Sequence, residues 1–127
     1  MAIKGTTVIV IEDDVDTAEL LCEFLEIKGI KVLGKGYDGK VAVELYSKLR
    51  PDIVFIDVMM PKFDGFYALE QIRKLDPNAK VIMVTADLTA DTSRLLDELK
   101  ATAVIYKPYE FNHMMTIIEN LRQPDAL

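Results

Sequence analysis

Short apolar segments recur along the chain and alternate with segments of helical periodicity. Four of them, residues 8–11, 53–56, 81–84 and 103–106, are only four residues long and consist mainly of β-branched or other apolar side chains. Near-continuous apolar runs of this length are typical of strands buried on both faces, as in a parallel sheet covered by helices. A fifth segment, residues 31–36, contains two lysines and two glycines. This composition favours an edge strand.

Between the predicted strands, apolar residues recur every three or four positions, which predicts five amphipathic helices. Asp14 or Asp16 can cap the first helix, and Gly29 follows its end. Five strands that alternate with five helices through short links predict a doubly wound α/β sheet with right-handed crossovers. The predicted core stripes are Ala18, Leu21, Cys22, Leu25; Ala42, Leu45, Tyr46, Leu49; Leu69, Ile72, Leu75; Leu95, Leu96, Leu99; and Phe111, Met114, Met115, Ile118, Leu121.

Polar residues follow four of the predicted strands directly. Glu12 and Asp13 follow the first, Asp57 the third, Thr85 the fourth and Lys107 the fifth. Each alone has an ordinary explanation as a helix cap, a turn residue, a strand threonine or a solvated lysine. In doubly wound sheets, however, ligands bind at the carboxyl ends of the strands. The coincidence on four strands therefore favours a functional site.

Three carboxylates at one sheet edge repel one another unless a cation joins them or one of them is protonated. Two carboxylates about 5 Å apart repel by about 3 kcal/mol at an effective dielectric of about 20. Oxygen ligands without histidine or cysteine favour a hard cation, and Mg²⁺ uses one or two carboxylates together with phosphate oxygens. Glu12, Asp13 and Asp57 are therefore candidate Mg²⁺ ligands, and we expect Mn²⁺ to substitute.

Composition excludes several other classes. The 127 residues carry a net charge of −6, which argues against direct nucleic-acid binding. We find no apolar stretch of membrane-spanning length and no signal peptide, and the single cysteine, Cys22, rules out an internal disulfide. These features predict a cytoplasmic protein.

Four segments together resemble the receiver domain of two-component response regulators. They are VIVIEDD at 8–14, PDIVFIDVMMPKFDG at 51–65, VIMVTA at 81–86 and VIYKPY at 104–109. Four such motifs in order and at compatible spacing are far more specific than any one of them. The resemblance implies one receiver domain over residues 1–127 with a flavodoxin-like (βα)5 fold and strand order 2-1-3-4-5.

The resemblance also implies roles for matching residues. Asp57 corresponds to the phosphoacceptor, and Glu12 and Asp13 to Mg²⁺ ligands, with the backbone carbonyl of Met59 as a further ligand. Aspartate is an attested covalent phosphoacceptor, and phosphoryl transfer depends mainly on positioning and charge neutralisation. Asp14 corresponds to a neighbour rather than a principal ligand.

The remaining matching positions concern the response to phosphorylation. Thr85 corresponds to the switch hydroxyl and Lys107 to the ammonium that pairs with the phosphoryl group. Ala86 is small and leaves the donor room to approach. Pro108 is expected to follow a cis peptide bond.

Two positions depart from the family pattern. Val104 stands where family members commonly carry a rotating Tyr or Phe, and Tyr106 precedes Lys107 instead. We expect Val104 to be a core residue and Tyr106 to pack on the opposite face. Met59 is apolar where many members are polar, so we predict slow self-dephosphorylation.

The resemblance implies protein partners. The phosphodonor is expected to be a sensor histidine kinase or a histidine phosphotransfer protein. An output protein, or a second copy in a homodimer, is expected to use the face of the fourth helix, fifth strand and fifth helix. The first helix carries Leu20, Phe24 and Ile27 off its core stripe, either as a docking face for the donor or because that helix is buried more widely.

Other functions fit the sequence less well. An aspartyl phosphatase typically carries a second aspartate two residues after its nucleophile, where this chain has Met59. An interaction module that keeps the fold without phosphoryl chemistry is disfavoured, because the set of site residues is complete: Glu12, Asp13, Asp57, Thr85 and Lys107. A Rossmann domain lacks its glycine motif after the first strand. The chain is expected not to act as a turnover enzyme, and its last residues, QPDAL, are compatible with the start of a linker to a longer regulator.

Overall fold

The computed structural model describes residues 4–122, which form five strands alternating with five helices. All the predicted elements are confirmed, and β3 and β4 extend one residue further than predicted, so that Asp57 and Thr85 end them. The terminal QPDAL segment lies outside the described residues. The elements in order are β1 (Thr7–Ile11), α1 (Val15–Ile27), β2 (Lys31–Gly36), α2 (Gly39–Leu49), β3 (Ile53–Asp57), α3 (Gly65–Leu75), β4 (Val81–Thr85), α4 (Ala90–Glu98), β5 (Ala103–Tyr106) and α5 (Phe111–Arg122).

The five strands form one parallel sheet in the order β2-β1-β3-β4-β5, as predicted. Alternate strand residues face opposite sides, because side chains on a strand have a period of two. The side that includes Val10 and Phe55 is covered by α1 and α5. The side that includes Ile9 and Ile56 is covered by α2, α3 and α4. The fold is therefore a doubly wound three-layer sandwich.

The two edge strands differ from the central ones in burial. β2 is an edge strand, as its lysines and glycines predicted. The prediction that the segment 103–106 is buried on both faces is wrong, because only Ile105 is buried in β5. β5 forms the other edge of the sheet, so it has a neighbouring strand on one side only.

The first helix illustrates how local sequence fixes an element. The carboxylate of Asp14 accepts a hydrogen bond from the backbone N–H of Thr17 at 3.2 Å and caps the helix. The helix ends before Gly29, whose φ of +87° is a conformation that glycine adopts without strain. All four predicted core residues of this helix are buried. By contrast, Leu49, Leu75 and Leu95 of the predicted stripes are exposed. Leu49 and Leu75 are each the last residue of their helix.

Among residues 4–122, no helix has the length and apolar character needed to cross a bilayer.

Candidate functional site

Two adjacent parallel strands bring the acidic residues together. Ile11 of β1 pairs with Ile56 of β3, so that Glu12 and Asp57 follow side by side at the carboxyl edge. Glu12, Asp13 and Asp57 each offer a carboxylate oxygen, and these three oxygens lie within 4.8 Å of one another. Asp57 is only 6% exposed, whereas Asp13 is open to solvent. The convergence of acidic residues predicted from the strand ends is thus present.

Lys107 reaches this cluster from the far edge of the sheet. Its Nζ donates hydrogen bonds to Oε1 of Glu12 at 3.0 Å and to Oδ2 of Asp57 at 3.3 Å. Burial lowers the pKa of the ammonium, but its hydrogen bonds and the charges of both carboxylates outweigh this effect, so that the pKa lies above its usual value. Lys107 is therefore fully charged at neutral pH. The single ammonium compensates only part of the negative charge of the three carboxylates. A further cation at this site is therefore electrostatically favourable.

The outer carboxylate is the least well compensated. Although Asp13 is exposed, partial desolvation by its neighbours raises the pKa of its carboxyl, and the hydrogen bond and charge of Glu12 raise it further. The other oxygen of Glu12, Oε2, accepts a hydrogen bond from the backbone N–H of Asp14 at 3.1 Å. Asp14 itself serves as the α1 cap, consistent with its expected place beside the site rather than in it.

The donor set fits a hard divalent cation. It consists of carboxylate oxygens, with neither histidine nor cysteine among the three clustered residues. A cation among them would offset the mutual repulsion of the carboxylates, which a single lysine offsets only in part. Met59, whose backbone carbonyl was predicted as a further ligand, lies two residues beyond Asp57 with its side chain 63% exposed.

Thr85 lies on the neighbouring strand with a different contact. Its buried hydroxyl accepts a hydrogen bond from the backbone N–H of Asp87 at 2.9 Å. Asp87 in turn accepts from the Thr92 hydroxyl of α4 at 2.6 Å, and this bond is the main cause that lowers the pKa of Asp87. The end of β4 is thereby connected to the start of α4. Sequence reasoning missed Asp87, although an Asp-x-Thr segment before a helix is a recognisable turn and cap signal.

The rim of the site is open on the α1 side. The exposed Ala86, together with Lys107, Pro108 and Leu20, lines a groove of about 540 Å³. The peptide bond between Lys107 and Pro108 is cis, as predicted. Tyr109, for which the sequence analysis predicted no role, lines a small cavity together with Glu12 and Asp57, and burial raises its pKa.

The two departures on β5 share one face of the strand. Val104 is half-buried and packs against the core formed by α2, α3 and α4. Tyr106, two residues on, lies on the same side and is 42% exposed. The expectation that Tyr106 packs on the opposite face is therefore wrong, because the period of two along a strand places alternate residues together.

Comparison with known proteins agrees with this geometry. The family model described as the response regulator receiver domain matches residues 8–119. The chemotaxis protein CheY of Thermotoga maritima is 34% identical over 108 residues, which make up 84% of this chain and 88% of that protein. The probable C4-dicarboxylate response regulator DctR of Bacillus subtilis is 34% identical over 124 residues, and the match spans 97% of this chain but 55% of DctR.

A solved structure shows the same fold. A chain in the crystal structure of the CheX-CheY-BeF3-Mg²⁺ complex from Borrelia burgdorferi superposes with a TM-score of 0.89 at 27% identity. The match covers 95% of this chain and 92% of that one.

Proposed function

The chain belongs to the response regulator receiver domain family, and we propose that it is a signalling switch in which Asp57 accepts the phosphoryl group. The observation that carries this assignment is the clustering of Glu12, Asp13 and Asp57 at one sheet edge, with Lys107 bonded to Asp57. We propose that residues 1–127 form one receiver domain, and that it works in the cytoplasm.

In the proposed reaction, a carboxylate oxygen of Asp57 attacks the phosphorus of a phosphohistidine. A P–O bond forms, the P–N bond breaks, and the imidazole leaves with the electron pair. Because phosphoryl transfer depends on positioning and charge neutralisation, the ammonium of Lys107 contributes by moving from the Asp57 carboxylate to the incoming phosphoryl oxygens. Hydrolysis of the acyl phosphate then restores the carboxylate.

Glu12, Asp13 and Asp57 would hold the divalent cation, together with the backbone carbonyl of Met59. When bound there, Mg²⁺, or Mn²⁺ in its place, would supply positive charge against the transferring phosphoryl group. The fit rests on the all-oxygen donor set and on the surplus of carboxylates over ammonium at this edge.

The signal is proposed to pass through Thr85 towards the α4–β5–α5 face. A hydrogen bond to a charged group contributes about 1.5–3 kcal/mol, whereas moving a two-state equilibrium from 1:99 to 99:1 takes about 5.5 kcal/mol. Thr85 alone is therefore insufficient, and Lys107 must contribute as well. Tyr106 is exposed on that face, where an output protein or a second copy would bind.

The phosphodonor is proposed to be a sensor histidine kinase or a histidine phosphotransfer protein that docks on α1. Leu20 is 57% exposed and Ile27 81% exposed on this helix, whereas Phe24 stacks on Phe111 with ring centroids 4.1 Å apart. Of these three apolar residues, Phe24 is therefore the one whose position off the core stripe is explained by packing within the domain. Leu20 also lines the groove beside Lys107, so an apolar contact surface runs up to the rim of the site.

We test the assignment by intact-mass spectrometry after incubation with acetyl phosphate and Mg²⁺. Wild type should gain one phosphoryl group, and so should the control Asp91→Asn, which changes an exposed aspartate on α4. Asp57→Asn and a sample treated with a chelator should not. Steady release of phosphate from phosphoester substrates would instead favour a turnover phosphatase and contradict the proposal.

A further inference from the structure

A close backbone contact joins α2 to the loop that follows Asp57. The first residue of α2, Gly39, donates a backbone hydrogen bond to the carbonyl of Phe63 at 2.6 Å. A Cβ at position 39 would lie 2.5 Å from the backbone oxygen of Asp64 and 2.7 Å from that of Phe63. Such contacts are far shorter than carbon and oxygen tolerate, and both neighbours are backbone atoms. A side chain at this position can therefore be accommodated only if the loop moves.

The same loop is closed at its base, next to Asp57. The backbone N–H of Gly65 donates to the carbonyl of Val58 at 2.9 Å. A Cβ at position 65 would lie 2.5 Å from the carbonyl oxygen of Asp57 and 2.7 Å from Cα of Val58. The loop is thus held at both ends by glycine contacts, with Met59 in the stretch between them. A displacement at the Phe63 end would therefore shift a short, closed segment that includes the residues next to Asp57.

We infer that Gly39 is a positioning residue for the divalent cation: by holding the loop 58–64 against α2, it sets the metal affinity of the carboxylate site. The inference rests on the proposed function, since it concerns the same site. Gly39 touches none of the reacting groups in this scheme and acts only through the loop. Residues that orient the ligands of a metal typically change its affinity by about 10- to 100-fold when they are replaced.

Gly39→Ala tests the inference, with Gly34→Ala as the matched control. The control lies on β2, where the atoms nearest to an added Cβ belong to the side chains of Leu45 and Leu49, at the ordinary contact distance of 3.5 Å. Calorimetric titration with Mg²⁺, well below the melting temperature, should show affinity weakened about 10-fold or more in Gly39→Ala and close to wild type in Gly34→Ala. A merely structural role would lower the melting temperature without changing the affinity. Equal Mg²⁺ affinities in the two variants would overturn the inference, whereas absence of Mg²⁺ binding by wild type would refute the proposed function instead.

A second measurement uses the wild-type protein and tests the inference even if Gly39→Ala does not fold. Amide hydrogen exchange of wild type, with and without saturating Mg²⁺, should show that metal slows exchange at the Gly39 N–H. The control amide is that of Arg50, which donates to Tyr46 at the other end of α2 and should not respond. An unchanged Gly39 amide in protein that binds Mg²⁺ would contradict the inference.

Discussion

The ammonium of Lys107 lies 3.3 Å from Oδ2 of Asp57, although Lys107 follows β5, Asp57 ends β3 and β4 lies between these two strands. The same ammonium lies 3.0 Å from Glu12. Without bound metal, Lys107 is the cation that compensates two nearly buried carboxylates. The residue thus has a structural role in addition to its proposed role towards the phosphoryl group.

This arrangement predicts the behaviour of Lys107→Met. In metal-free protein, the variant should lose about 2 kcal/mol of unfolding free energy, because Glu12 and Asp57 keep their burial and lose their partner. Mg²⁺ should restore much of this loss and raise the melting temperature more in the variant than in wild type. Chemical denaturation with and without Mg²⁺ measures both effects.

The control is Lys35→Met, which removes an exposed lysine bonded to Glu19 at 2.6 Å. Little change in stability and no altered Mg²⁺ response are expected there, because exposed ion pairs contribute little. A metal-free Lys107→Met as stable as wild type would show that Lys107 does not compensate the cluster.

A second pair of residues, far from the site, makes the free energy of unfolding depend on pH. The hydroxyl of Tyr46 donates to Oδ2 of Asp76 at 2.6 Å and connects α2 to the end of α3. Burial, followed by this bond, raises the pKa of Tyr46 to about 12, above its usual value of about 10. Because the unfolded chain then loses its proton first, the stability of wild type falls as pH rises from about 10 to about 12.

Tyr46→Phe should therefore lower the free energy of unfolding by about 1 kcal/mol at neutral pH. The variant lacks the titrating hydroxyl, so its stability should not fall in this alkaline range, and the difference from wild type should shrink above pH 10.

At acid pH, stability changes with pH in the opposite direction. The Tyr46 bond is the main cause that lowers the pKa of Asp76, so the stability it contributes is present at neutral pH and lost as pH falls below about 4. Denaturation curves of both proteins from pH 3 to pH 12 test this, and parallel profiles would refute it.

Met59 is proposed to affect the lifetime of the phosphorylated form. Its apolar side chain stands two residues beyond Asp57 and offers an attacking water no strong hydrogen bond. Met59→Asn should therefore accelerate dephosphorylation about 10-fold, the effect of one hydrogen bond of about 1.4 kcal/mol made in the transition state. The decay of the phosphorylated protein after removal of the donor gives the rate, and equal rates for variant and wild type would reject the idea.

Local patterns were enough to predict the strands, the helices and the acidic cluster. The run Val8-Ile9-Val10-Ile11 is apolar on both faces because β1 is central, and the polar residues after it converge with Asp57 because parallel strands end at one edge. The strand order came from the family resemblance, since strand alternation alone does not specify it.

Contacts between segments distant in the chain could not be predicted from the sequence. The Gly39–Phe63 contact and the Tyr46–Asp76 bond each join residues 24 or more positions apart, and no periodicity marks them. The exposure of Tyr106 was missed for a different reason. The apolar run 103–106 resembles the central strands, but β5 lies at the edge of the sheet, where one face is only partly covered.

The central claim is that the phosphoryl group resides on Asp57, and peptide mapping by tandem mass spectrometry after acetyl phosphate and Mg²⁺ tests it most directly. Digestion under acid conditions that preserve acyl phosphates should place the added phosphoryl group on Asp57 in the peptide that covers β3. A phosphoryl group on Glu12 or Asp13, or on any residue outside the cluster, would contradict the account.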